Sequence, residues 1–127
     1  MADENCTIIN ETKGKLPRLP FVSVKNAILG KDYELGVRFV SARKQRILNK
    51  TYRGKDSTTN VLSFIVTKKS GDLTFDLALI KKQAPDFEMP YSTFLVFLFI
   101  HGCLHLKGFE HSSTMEKEEK KFLKKFS

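Results

Sequence analysis

A chain of 127 residues fits one domain, and a hydrophobic content of 41% can build a core without disulfides or a structural metal. Two cysteines make no disulfide framework, and the longest apolar stretch, Phe94 to Ile100, is too short to span a bilayer. The formal net charge of +8 favours a polyanionic partner, although a lysine-rich habit would give the same total. The opening residues, with Asp3, Glu4 and Asn5, lack the basic-then-apolar layout of a signal peptide, so a cytoplasmic setting without a membrane partner is expected.

In chain order, Cys6 to Ile9 reads as a first strand. A segment bounded by Pro17 and Pro20 leads into Phe21 to Leu29, where Val24 and Ile28 stand at helical spacing before Gly30. Leu35, Val37 and Phe39 alternate with Gly36, Arg38 and Val40, which predicts a second strand. Ser41 is a good N-cap for a helix running to about Tyr52. That helix carries most of a basic block (Arg38, Arg43, Lys44, Arg46, Lys50, Arg53, Lys55) that contains no acidic residue, and Arg43, Arg46 and Lys50 fall on one side of it. Val61 to Val66 predicts a third strand. Leu73, Phe75, Leu77 and Leu79 alternate into a fourth, followed by a proline-containing connection from Lys81 to Pro90. Tyr91 to Leu106 reads as a helix apolar nearly all round, hence central and buried. A charged helix from Met115 to Phe126 offers Met115, Phe122 and Leu123 for docking. The expected fold is a single α+β domain over residues 1–127, with about four strands in a mixed sheet packed with helices and a metal site at the end of the buried helix.

All three histidines fall in one short stretch, His101-Gly-Cys-Leu-His105-Leu-Lys-Gly108-Phe-Glu-His111. His101 and His105 lie one turn apart on one helix face, and Gly108 permits the reversal that brings His111 back to them. Three converging imidazoles are a zinc ligand set with a fourth position open, so one zinc ion per chain is expected. The spacing matches the H-E-x-x-H-x-x-G-x-x-H pattern of zinc peptidases, but Gly102 stands where their general-base glutamate would be. Glu110 is a candidate to orient His111, to be a fourth ligand, or to be a solvated turn residue. Cys103 points away from the metal on a helix and reads as core.

The histidine stretch resembles the signature of the YbeY family, bacterial rRNA maturation factors regarded as zinc-dependent endoribonucleases. A second segment, Leu48-Asn-Lys-Thr-Tyr-Arg-Gly-Lys-Asp-Ser-Thr-Thr-Asn-Val-Leu-Ser-Phe64, resembles that family's other motif, L-N-x-x-Y-R-x-x-x-x-x-T-[DN]-V-L-S-F. The chain departs from the family at Glu110 (usually Asp), at Phe75 (usually Gly before the Asp of the fourth strand) and at Phe97 (often His). The resemblance implies RNA as substrate, with a role in 16S rRNA 3′-end maturation and ribosome quality control. It makes the ribosome a partner, with a ribosomal protein or a GTPase as candidates to present the substrate.

Arg53 is the family's motif arginine and the candidate to fork onto the phosphate, its alternative role being a cap at the helix C-terminus. Glu110 is its candidate catalytic companion. Arg43, Arg46, Lys50 and Lys55 are the candidate RNA-binding residues, gripping the backbone without reading sequence. Ser63 and Asn60 are candidates to line the cleft, Asn60 equally a turn residue. Two rivals are a small zinc peptidase and a non-catalytic zinc-binding ribosome-assembly or RNA-binding factor.

Overall fold

The computed structural model describes residues 5–127. Four strands, β1 (Cys6–Asn10), β2 (Glu34–Phe39), β3 (Val61–Thr67) and β4 (Ser70–Phe75), form one sheet in the order β1-β2-β4-β3. β1, β2 and β4 run parallel, and β3 returns antiparallel beside β4. Parallel neighbours need a crossover, and helix α1 (Phe21–Leu29) supplies the one between β1 and β2. The fold is the expected single α+β domain with a mixed sheet.

Alternation along the strands decides what each face meets. Leu35, Val37 and Phe39 of β2 pair in register with Gly71, Leu73 and Phe75 of β4, and all are buried on the face covered by α1 and by α4 (Tyr91–Lys107). Phe39 stacks on Phe75 at 5.4 Å and Phe75 on Phe99 of α4 at 6.2 Å, which ties strands to helix. The other face receives α2 (Ala42–Arg53), and polar atoms pin it there. Gln45, fully buried, donates through Nε2 to the carbonyls of Thr74 (3.0 Å) and Thr59 (3.2 Å), while its Oε1 accepts from the Thr74 hydroxyl (2.8 Å).

Ser41 caps α2 as expected, its hydroxyl accepting from Lys44 N at 3.1 Å, and Gly54 ends the helix in the left-handed region at φ 70°. The expected fourth strand through Leu79 is wrong beyond Phe75. Asp76 is buried, its Oδ1 accepts from Leu79 N (3.2 Å), and it thereby starts α3 (Leu77–Gln83). The connection from Lys81 to Pro90 accordingly holds the end of that helix and a 3-10 turn at Ala84–Phe87. Leu77 and Leu79 alternate like strand residues, but the cap at Asp76 overrides so short a pattern. α5 (Ser113–Phe126) is capped by Ser112 and docks on α4 through Met115 and Phe122, both buried, with Leu123 half-buried. Among the described residues no single helix is long and apolar enough to cross a membrane.

Candidate metal centre

The buried helix α4 delivers the first two histidines at its C-terminal end. Gly108, at φ 111°, then turns the chain, its N–H bonding back to His105 O (3.0 Å) while Phe109 N bonds to Leu104 O (3.0 Å). That reversal returns His111 to the others, with ring centroids 5.2 Å from His101 and 5.0 Å from His105. One nitrogen from each of His101, His105 and His111 lies within 4.8 Å of the other two, so the group could hold a metal ion.

The ring orientations are fixed from behind. His105 Nδ1 lies 3.0 Å from the carbonyl oxygen of Phe109, which can only accept, so that nitrogen carries the proton. His101 Nδ1 donates in the same way to Glu119 Oε2 at 2.6 Å. In the neutral rings this leaves both Nε2 lone pairs facing each other across 3.0 Å, an opposition that a cation between them would relieve. Zinc at about 2 Å from each tetrahedral ligand nitrogen separates the nitrogens by about 3.3 Å, which falls between these limits. The donor set therefore fits such an ion. His105 is held below the ordinary histidine value, first by burial and then by the charge of His101. Positive charge on His111 and on Arg53 lowers it further.

Glu119 was missed in the sequence, eighteen residues from His101 on a helix full of exposed charge. A signal was there. Met115, Glu119 and Phe122 share the i, i+4, i+7 stripe of α5, and all three are buried. A carboxylate in an apolar stripe needs a partner, and His101 is that partner. Glu110, by contrast, is exposed and forms no hydrogen bond or ion pair among the described residues. Cys103 belongs to the buried core, and burial pushes its thiol far up.

Gly102 has a packing reason. A Cβ there would meet Leu73 Cδ2 of β4 at 2.7 Å, so any larger residue must push the buried Leu73 side chain aside. A peptidase glutamate at this position would have to enter the packed interface between helix and sheet.

The other candidate residues lie in different places. Arg53 ends α2 and lines a hollow of about 640 Å³ with Lys44, Tyr52, Ser63 and Phe64. Asn60 instead borders a second hollow, of about 310 Å³, together with His101 and His111. Arg43, Arg46, Lys50 and Lys55 are all exposed. The basic block, without an acid in its own sequence, gains two from outside it. Glu11 accepts from Lys44 (2.7 Å) and Arg38 (3.0 Å), hydrogen bonds that hold its carboxyl below the usual range. Asp56 accepts from Arg46 at 2.8 Å, is lowered by it, and has Lys50 Nζ at 4.0 Å.

The match to known proteins covers nearly the whole chain. Residues 9–127 match the family described as Endoribonuclease YbeY. The chain belongs to the YbeY family. It is 39% identical over 114 residues to the Endoribonuclease YbeY of Paraburkholderia phymatum, covering 86% of this chain and 74% of that one. Against the Endoribonuclease YbeY of Paraburkholderia phytofirmans the identity is 40% over the same shares. The solution structure of TM1509 from Thermotoga maritima superposes with a TM-score of 0.65 at 25% identity, over 94% of this chain and 87% of that one.

Proposed function

We propose that the chain is a zinc-dependent endoribonuclease of rRNA 3′-end maturation and ribosome quality control, acting in the cytoplasm as one catalytic domain over residues 1–127. The observation that carries this reading is the facing pair of Nε2 atoms on His101 and His105, each ring anchored from behind, in a chain of an endoribonuclease family. His101, His105 and His111 would hold the zinc, which supplies Lewis acidity toward water and a phosphoryl oxygen when bound. Glu119 fixes the tautomer and direction of the His101 ring. The planar guanidinium fork of Arg53 suits the non-bridging oxygens of a phosphodiester, where charge builds up during cleavage. Glu110 adjoins His111 in solvent and is the carboxylate proposed to take the proton released by the attacking water. Arg43, Arg46, Lys50 and Lys55 grip the RNA backbone, with Arg46 and Lys50 exchanging Asp56 for phosphate on binding. A ribosomal protein or GTPase would present the rRNA.

The contact awaiting any side chain at Gly102 speaks against the peptidase reading. The test is incubation of the zinc-loaded protein with single-stranded rRNA fragments and, separately, with casein. RNA cleavage without proteolysis supports the proposal; proteolysis without RNA cleavage overturns it. Cobalt substitution separates catalysis from a structural zinc, since a site open to water gives a spectrum that changes with added anion and a closed one does not.

A further inference from the structure

We infer that the hollow beside the three histidines is a nucleobase subsite, which receives an unpaired base next to the cleaved phosphate and favours a base bearing an exocyclic amine; this rests on the RNA-cleaving reading above. The cavity measures about 310 Å³ and is bordered by Asn60, Phe87, Phe97, His101, His111 and Glu116. That is the low end of small-ligand sites, suited to one planar heterocycle.

Two walls are aromatic. Phe97 stands one turn before His101 on α4, the ring centroids 6.4 Å apart and the planes 29° apart. Phe87 stacks on Phe94 at 4.7 Å with planes 22° apart, yet it remains 51% exposed, so one ring face is packed and the other is open. Burial does not account for a large ring held this way in the 3-10 turn. Stacking of an unpaired base on it would.

The polar wall offers acceptors on Asn60 and Glu116, beside the Ser112 hydroxyl that caps α5. Asn60 is held at two points: its Nδ2 donates to Gln83 Oε1 at 3.0 Å and its main-chain carbonyl accepts from Asp76 N at 3.1 Å. This leaves Asn60 Oδ1 to accept from a ligand. Glu116, on α5, adds an exposed carboxylate that forms no ion pair among the described residues. Such a wall repels phosphate and calls for N–H donors. Adenine, cytosine and guanine carry an exocyclic amine that can meet it, whereas the N3–H of uracil lies between two carbonyl acceptors that an acceptor wall repels. The base thus enters on the α5 side, between the aromatic rings and Glu116.

The test uses the zinc-loaded protein and single-stranded oligouridylates in which one residue at a time is replaced by A, C, G or an abasic unit. Cleavage kinetics and equilibrium binding are both read. At one position an amine-bearing base should lower KM and Kd by about tenfold relative to uridine, and an abasic unit should raise them. Phe87→Ala and Phe97→Leu should bring the three classes of substrate together at that position. Glu116→Gln should reduce the preference for amines while keeping base over abasic unit. Zinc content and melting temperature accompany each variant; should an aromatic variant misfold, Glu116→Gln alone decides. If the wild type cuts every RNA with equal KM and Kd, the subsite is refuted while the nuclease reading stands. If it cuts and binds none of them, both fall.

Discussion

Replacing Glu119 by Gln removes one negative charge and almost nothing else. The carboxylate lies 2.6 Å from His101 Nδ1, with side-chain exposures of 18% for the histidine and 10% for the glutamate, so the bond is short, charged and shielded. Glutamine keeps the length and one accepting oxygen, and the stripe of Met115 and Phe122 around it should pack unchanged. What is lost is the charge that makes the opposite nitrogen a better donor to a cation. Loss of a comparable partner behind a ligating histidine weakens metal binding by about 10- to 100-fold, which corresponds to about 1.4–2.7 kcal/mol. A chelator-competition titration of zinc reads this directly, and the stabilisation that zinc adds to the melting transition should shrink by a similar amount. Glu110→Gln serves as the comparison, and its exposed side chain should leave zinc affinity at the wild-type value. Wild-type affinity in Glu119→Gln together with weakened affinity in Glu110→Gln would refute the assignment of roles to the two carboxylates.

Arg53→Ala should keep zinc and fold while turnover falls by about 10²–10³-fold, the usual cost of removing a donor to developing negative charge; loss of folding at ordinary temperature would favour the helix-capping role instead. Gly102→Glu should cost about 3 kcal/mol or more in a urea titration, because a charged side chain is forced against Leu73, and an unchanged midpoint would mean the helix can back away from the sheet. His105 has a lowered value in the folded state, so on acidification below the ordinary 6.5 the unfolded chain takes up the proton first. The metal-free domain should therefore lose stability as the pH falls below that value and gain none from this group above it. Melting temperatures of metal-free wild type and His105→Asn across that range check this, and equal slopes would contradict it.

The parts of the site that were legible in the sequence are those made by local spacing. His101 and His105 share a helix face by their interval of four, and Gly108 announces the turn that recovers His111. The strands at Cys6–Asn10, Glu34–Phe39 and Val61–Thr67 followed from alternation and β-branched runs. What stayed hidden depends on partners distant in the chain. Glu119 meets His101 only after α5 folds back, and Gln45 and Asn49 look like ordinary polar helix residues until the sheet and the Ser57 carbonyl (2.9 Å from Asn49 Nδ2) supply their bonds. Asp76 is a related case: a single capping carboxylate stopped a strand that the leucine pattern would have continued. The basic helix was read correctly for composition but not for balance, because Glu11 and Asp56 lie outside the block they partly neutralise.

The central claim is that one metal ion on His101, His105 and His111 enables RNA cleavage. Its most direct test is to strip the protein with a chelator and add zinc back stepwise while following cleavage of a single-stranded RNA, with His105→Ala measured in parallel. The account predicts no cleavage in the stripped protein, recovery that is complete at one zinc per chain, and neither bound zinc nor cleavage in the variant. Undiminished cleavage by the stripped protein, or by His105→Ala, would contradict it.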